Sequence, residues 1–499
     1  MTAAAENLAA ALEARAVAGG WAGDLAFVAG DRAFSHAEVH DGAARAASLL
    51  AGLGAGAGDR VLLAVPDGVE FGWTFLGAIR LGALAVPVNP RLTEADHRFA
   101  ADDTAARVVV CGDDLAPRFA GRPVVAAGSL ETLLAGLPPR PAAPVGPGQA
   151  AYAQYTSGTT GPPKAALHGH GDPLVYFDAF ARRAVGLDRT DVVLSVSKLY
   201  FAYGLGNSLF FPLLSGARAV LHAGHPRPAD VAELVRRHGA TVLFAVPTFY
   251  AHLVALNDPG SMASVRAAVS AGEPLTPALA EKARATLGCP ILDGIGSTEV
   301  GQTFASNTLE RWEDGTVGRA LPPYRVSVRD GDGRDAAPGQ VGDLWVRGPT
   351  VGLGYLGRPA ATLAGGWLRT GDRAELSADG VLRLHGRSDD IELVGGISVS
   401  PIEVEAVLAT HPGVMEVAVA GRVGADGTSQ LHAFVVPGTG IEAGDGLAAE
   451  LVDLARSQLA PFKVPRSVLL VGALPRTSTG KLRRFVLRGP DWPAAPSVR

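Results

Sequence analysis

Short runs of β-branched and aliphatic residues alternate with helical stretches through the larger, first part of this chain, and that alternation limits the folds open to it. Arg60–Pro66, Ala83–Val88 and Arg107–Cys111 read as buried parallel strands, with a helix over Val69–Leu81 between the first two. The theme returns at Val192–Val196, Arg218–His222, Thr241–Ala245 and Ala267–Ser270. Such a chain is expected to be an α/β protein with ligand groups at the carboxyl ends of its strands. At 499 residues it is too long for one ordinary core. The Pro-, Ala- and Gly-rich stretch 136–149 reads as a linker between two α/β layers. From Arg325 short strands with Gly turns suggest a small β-barrel, and after Arg387 a compact α+β segment follows, with helices over 401–410 and 445–459.

Hydrophobic residues make up 47% of the chain and charged residues 19%, as in a globular protein that stays in solution. A net charge of −5 argues against a general nucleic-acid or anionic-membrane binder. Cys111 and Cys289 give neither a disulfide framework nor metal-ligand spacing. The N-terminus has no basic start before an apolar run, so it does not read as a secretion signal, and Leu8 and Leu12 suit a short amphipathic helix. No apolar stretch reaches membrane-spanning length, and a cytoplasmic location is the expectation.

The run with most chemical content is Tyr155-Thr-Ser-Gly-Thr-Thr-Gly-Pro-Pro-Lys164. The hydroxyls of Thr156, Ser157, Thr159 and Thr160, the backbone N–H groups of Gly158 and Gly161, and the Lys164 cation suit a loop that folds over an oligophosphate. It departs from the Walker pattern, since Ala165 follows the lysine. The plainer alternative for this run is a surface Gly/Ser/Thr/Pro turn, which its chemistry disfavours. Two other patterns lead elsewhere. Gly352-Leu-Gly-Tyr-Leu-Gly357 has dinucleotide-loop spacing, but Pro359 follows too soon for a helix to open there. His168, His170, His222 and His225 lack a regularly spaced third ligand and are read as structural rather than metal-binding.

Further motifs follow in order: Asp293-Gly-Ile-Gly-Ser-Thr-Glu299, Gly366-Trp-Leu-Arg-Thr-Gly-Asp372, Gly386-Arg-Ser-Asp-Asp390 and Pro475-Arg-Thr-Ser-Thr-Gly-Lys481. Together with the first run they resemble the adenylate-forming superfamily of acyl-CoA synthetases, adenylation domains and luciferases, over nearly the whole chain. The resemblance implies a large N-terminal domain, residues 1–388, holding ATP and acid, and a mobile C-terminal domain, residues 389–499, with Asp389 as hinge. It implies attack of a carboxylate on the α-phosphate of ATP, with no covalent enzyme intermediate. The task is then to hold two anions together and stabilise charge on phosphorus. By resemblance, Thr156, Ser157, Gly158, Thr159, Thr160, Gly161 and Lys164 wrap the β- and γ-phosphates. Thr298 meets the α-phosphate, and Glu299 is the Mg²⁺ ligand, a hard cation that takes oxygen donors. Asp372, assisted by Arg387, accepts the ribose hydroxyls. Gly272 and Glu273, with Asp293, Gly294 and Ile295, flank the adenine. Lys481 bridges the carboxylate and ATP, and Gly395 and Gly396 line the thiol channel after the hinge turns.

Within the superfamily Lys198-Leu-Tyr-Phe-Ala-Tyr-Gly-Leu-Gly-Asn207, Gly294–Glu299 and Gly396–Glu405 resemble benzoate-CoA ligases. Ala202, Tyr203 and Gly296 are then the aryl-pocket wall. Those ligases usually carry a bulky apolar pair and a histidine after the glutamate; here Val300-Gly-Gln-Thr-Phe304 stands instead. Gly301 is expected to open space and Gln302 to offer a donor and an acceptor, favouring a hydroxy- or aminobenzoate over benzoate. The implied activity is an aryl-CoA ligase using ATP, CoA and Mg²⁺, working as a monomer or homodimer. Loading of a carrier-protein thiol, diverted activation of a substituted aminobenzoate and a catalytically silent scaffold are the alternatives. Arg422, Lys463 and Arg466 are candidates for the CoA nucleotide or plain surface charge.

Overall fold

The computed structural model describes residues 6–156, 163–358, 365–394, 397–423, 429–438, 440–441, 444–476, 482–489 and 492. Ser157, Gly158, Thr159, Thr160 and Gly161 of the phosphate-loop run, Gly395, Gly396 and Lys481 lie outside the described residues.

Two sheets form the framework of the large N-terminal domain. The first has six described strands in the order Val124–Ala126, Val108–Cys111, Arg60–Ala64, Leu84–Pro87, Ala150–Thr156 and Lys164–Gly169; all neighbours are parallel except the last pair. The second has nine described strands, with a parallel interior of Ile291–Gly296, Ala267–Ala271, Val242–Ala245, Val192–Ser195, Arg218–Leu221 and Leu25–Ala29. Each run read as a strand in the sequence is one, within a residue or two at its ends.

Helix Val69–Arg80 explains how the sheets cohere. It carries Phe71, Trp73, Phe75, Leu76 and Ile79, and its faces are buried nearly all round, as expected of a helix with no wide polar stripe. Phe75 meets Tyr152 of the first sheet at 5.7 Å and Phe210 beyond the second at 5.9 Å. A Cβ at Gly77 would lie 2.8 Å from that of Ala46, so glycine there lets helix His36–Gly52 approach closely. The resulting core is continuous, with Val61, Leu63, Val193 and Phe244 in a single cluster.

The stretch 136–149 does not join two layers. It leaves the edge of the six-stranded sheet after Val124–Ala126 and returns to the same sheet at Ala150–Thr156, beside Leu84–Pro87. Its carbonyls are tied to the helices it crosses: Arg45 and Ser48 donate to Leu137 and Pro138 oxygens, and Arg80 Nε donates to Arg140 O at 2.6 Å. Proline-rich composition here marks the irregular half of a crossover, after the short helix Leu130–Ala135, rather than a domain junction.

The segment from Arg325 is an antiparallel sheet in the order Arg325–Arg329, Gly342–Arg347, Leu368–Leu376 and Leu382–Arg387, its first and last described strands unpaired with each other, where a barrel was expected. Beyond the turn Ser388–Asp390, the small C-terminal domain places helices Pro401–Leu408 and Asp445–Gln458 on a sheet of Val414–Val423, Ser429–Pro437 and Ser467–Leu470. Its apolar cluster, including Val404, Leu408, Val419, Val435 and Leu451, is separate from the large core.

Candidate active site

The carboxyl ends of the parallel strands in the nine-stranded sheet converge on one cavity. Ser197 follows Val192–Ser195, Val246 follows Val242–Ala245, Ala271–Glu273 close Ala267–Ala271, and Gly296–Thr298 close Ile291–Gly296. Tyr155, Phe201, Ala202, Tyr203, Gln302 and Thr303 complete a wall around about 830 Å³, counting its open mouth. That is the usual site for a ligand in an open α/β sheet. The sequence-predicted Ala202, Tyr203, Gly272, Glu273, Gly296, Thr298 and Gln302 thus share one enclosure.

One side of the cavity is apolar and aromatic. Tyr203 packs edge-on against Phe244 at 6.1 Å and donates its hydroxyl to Val269 O at 3.3 Å. Gly296 is required by the backbone, since a Cβ there would fall 2.7 Å from Gln302 O. Gly301 does not open the pocket. It lies outside the wall at φ 92°, where a Cβ would sit 3.3 Å from both His168 and Tyr176, so its glycine serves a left-handed turn against those rings. Gln302 borders the cavity, but its amide is engaged within the protein. Oε1 accepts from Thr303 N at 3.0 Å, and Nε2 donates to Tyr203 O at 3.3 Å and Asn207 Oδ1 at 3.5 Å.

Asp293, Gly294 and Ile295 do not line the cavity. They form the strand behind it, in register with Ser270 and Ala271. Asp293 is buried; loss of hydration pushes its carboxyl well above the usual range against the opposing Ser270 hydroxyl. Ile295 packs in the large core.

The phosphate-loop run begins and ends on paired strands: Thr156 stands opposite Lys164. The segment Gly352–Gly357 runs alongside, with Leu167 N donating to Gly354 O at 2.9 Å and Leu356 N to Ala165 O at 2.8 Å. This sets the Tyr355 ring 5.7 Å from Lys164 Nζ and its hydroxyl 2.9 Å from Glu299 Oε1. Tyr355 was missed by sequence reasoning, although it sits in the glycine run weighed there only as a dinucleotide loop. Tyr155, Ser197, Val246 and Thr303 were also missed; only the fold brings them to the wall.

Among the described residues no cluster of three or more His, Cys, Asp or Glu could hold a metal by itself. Glu299 offers a single half-buried carboxylate beside Thr298, which fits a Mg²⁺ ion that completes its shell with phosphate oxygens and water. Of the histidines weighed in the sequence, His168 stacks its ring on Tyr152 at 4.8 Å, and His170 Nδ1 accepts from Leu8 N at 3.1 Å.

Asp372 and Arg387 face each other across adjacent strands, Nη1 to Oδ1 3.4 Å apart. Gly371, at φ 80°, makes room for the guanidinium, which a Cβ would approach to 2.9 Å. Arg387 also reaches Asp389 Oδ1 at 3.4 Å, in the turn that leads to the C-terminal domain. The two domains also meet at the cavity rim. Arg476 donates to Glu273 Oε1 and to Glu416 Oε2, both at 2.6 Å, and His252 Nε2 lies 2.8 Å from Glu416 Oε1. Burial works against the Glu416 charge, but His252 and Arg476 prevail and hold its carboxyl below the usual range. Glu273 also accepts from the Thr248 hydroxyl at 2.7 Å, so its carboxylate serves the domain contact.

No helix among the described residues is long and apolar enough to cross a membrane. The AMP-binding enzyme family matches residues 14–356, and the AMP-binding enzyme C-terminal domain matches residues 403–481. The chain is 44% identical over 484 residues to the p-hydroxybenzoic acid–AMP ligase FadD22 of Mycobacterium tuberculosis, covering 97% of this chain and 68% of that protein. It is 42% identical to the benzoate–CoA ligase of Thauera aromatica, over 86% of this chain and 85% of that one. The crystal structure of a benzoate CoA ligase from Burkholderia xenovorans LB400 superposes with a TM-score of 0.90 at 36% identity, over 97% of this chain and all of that one (100%). The motifs, the two-sheet framework with its small second domain, and these likenesses agree: the chain belongs to the AMP-binding enzyme family, the adenylate-forming superfamily, close to the benzoate-CoA ligases.

Proposed function

We propose that this protein is an AMP-forming acid–thiol ligase that activates an aromatic carboxylic acid with ATP and passes the acyl group to CoA. The observation that carries this reading is the single cavity in which an aromatic wall, Phe201–Tyr203, faces Thr298 and the strand ends. The ring lies between Tyr203 and the Ala202 backbone, and the carboxylate points toward Thr298. The Thr156–Lys164 run holds the outgoing phosphates, with Tyr355 keeping Lys164 and Glu299 in place. Bound to Glu299, Mg²⁺ would neutralise charge on the phosphate oxygens. Asp372 holds the ribose, and Lys481 contributes its charge to the adenylation step. The N-terminal domain ends at residue 388, Asp389 is the hinge, and Gly395 and Gly396 line the thiol path.

A benzoate bearing a hydroxyl is the first choice of substrate, supported by the likeness to the p-hydroxybenzoic acid–AMP ligase. The Gln302 amide supports it as well, because its Nε2 bonds of 3.3 and 3.5 Å are long enough to yield to a phenolic oxygen. The same likeness favours a second reading, in which the thiol belongs to a carrier protein rather than CoA. Turnover of ATP against benzoate, hydroxybenzoates and aminobenzoates, with and without CoA, separates them when products are weighed by mass spectrometry. AMP with an aryl-CoA supports the first reading, and a retained acyl-adenylate without a CoA ester supports the second. Absence of turnover with every aromatic acid refutes both.

A further inference from the structure

Beside the cavity, and used by none of the steps above, lies a buried lysine. Lys198 follows strand Val192–Ser195 and is 1% exposed; Asp67, beyond strand Arg60–Ala64 of the other sheet, is 5% exposed. Their charged atoms are 3.6 Å apart. Lys198 Nζ donates to His222 O at 2.6 Å, at the end of a third strand, and the other Asp67 oxygen accepts from Leu199 N at 3.0 Å. Burial pushes the Asp67 carboxyl up while the Lys198 ammonium opposes the shift. Three strand ends from two sheets therefore meet on one turn.

That turn carries the aryl wall. Phe201 N donates to Lys198 O at 2.9 Å, and Leu205 N to Phe201 O at 2.8 Å, so the backbone fixed at Lys198 sets the course of Phe201, Ala202 and Tyr203. A Cβ at Gly204 would fall 2.1 Å from Lys198 O, which shows how tightly the turn closes on its anchor. Buried ion pairs are a poor source of stability, since apolar residues of similar volume often do as well; their better attested use is to specify one arrangement among several. Lysine is also among the side chains least often buried.

We propose that Asp67 and Lys198 are a positioning pair that fixes the aromatic wall of the acid pocket and so determines selectivity for planar ring acids. This rests on the pocket assignment made above, but the pinning of the turn is measurable without any substrate.

The test compares the wild-type chain with the neutral double variant D67N/K198M by hydrogen exchange and by steady-state kinetics. In the wild type the Leu199 and Phe201 amides should exchange as slowly as those of the flanking strands. Exchange at the rate of an open loop overturns the proposal even if the variant does not fold. In the folded variant, exchange over residues 199–205 should rise by roughly tenfold or more, with strands Val192–Ser195 and Arg218–Leu221 unchanged. KM for the aromatic acid should rise roughly tenfold, kcat and KM for ATP should stay within about twofold, and preference for benzoate over cyclohexanecarboxylate should narrow. Unchanged exchange and unchanged preference in a folded variant refute the pair as a positioning device. If the wild type turns over no aromatic acid, the pocket assignment fails and the exchange result alone decides whether the turn is pinned.

Discussion

Replacing Glu416 by Gln tests whether the domain contact at the cavity rim governs the first half-reaction. Glu416 belongs to the C-terminal domain and stays outside the cavity wall, yet it shares Arg476 with the wall residue Glu273. Arg476 shortly precedes Lys481 in the chain, so the contact anchors the stem of the lysine-bearing segment. The Glu416, Glu273 and Arg476 side chains are 10%, 13% and 23% exposed, so solvent screening is modest. Gln keeps a hydrogen bond to the charged guanidinium of Arg476 but loses the attraction between two full charges, so the isosteric change forfeits about 1–1.5 kcal/mol. Since each ~1.4 kcal/mol is tenfold in rate, ATP–pyrophosphate exchange should fall about tenfold. If the C-terminal domain turns about Asp389 as proposed, thioester formation from supplied acyl-adenylate should not fall, because this contact would have to part first. Equal losses in both half-reactions, or unchanged exchange, would refute the reasoning.

Other expectations follow from single sites. Burial holds His40 and His170 down to about 4, whereas the unfolded chain protonates near the ordinary value of 6.5. Stability is then full above pH ~6.5 and declines as pH falls toward ~4, by up to roughly 3 kcal/mol for each histidine, and melting curves flat across that window would contradict it. Gly301→Ala forces a side chain into φ 92° against His168 and Tyr176 and should cost about 1–3 kcal/mol in urea unfolding; a change below about 0.5 kcal/mol would show that the turn relaxes freely. Tyr355→Phe removes the hydroxyl from Glu299 while keeping the ring beside Lys164. The Mg²⁺ concentration needed for half-maximal pyrophosphate exchange should rise several-fold, and an unchanged requirement would separate Tyr355 from Glu299.

The parts legible in the sequence were those in which local pattern and tertiary role coincide. Runs such as Val192–Ser195 and Val242–Ala245 are apolar on both faces because they are interior parallel strands, and their ends point to the cavity. Misreadings arose where composition stood for geometry. The prolines of 136–149 suggested a junction, although the carbonyls there are bonded down across two helices. Gly301 suggested space, but its positive φ and two neighbouring rings explain it. Other features had no local trace at all: Glu273 lines the cavity as expected, but its engagement with Arg476, about 200 residues away, could not be read from its neighbours in the chain. The Asp67–Lys198 pair was equally hidden, since nothing in a stretch of sequence says that a lysine will be buried.

The continuous core threaded by helix Val69–Arg80 bears on where this polypeptide can be cut. Division within 136–149, the most linker-like stretch by composition, would take strands Ala150–Thr156 and Lys164–Gly169 from their sheet and strip that helix of Tyr152 and Phe210. Two separately expressed pieces made this way would each expose half of one interior and should be recovered only by co-folding. Division in the turn Ser388–Asp390 would leave each piece with its own apolar cluster. The permissive seam of this protein is therefore a polar three-residue turn, and the proline-rich ribbon is a suture.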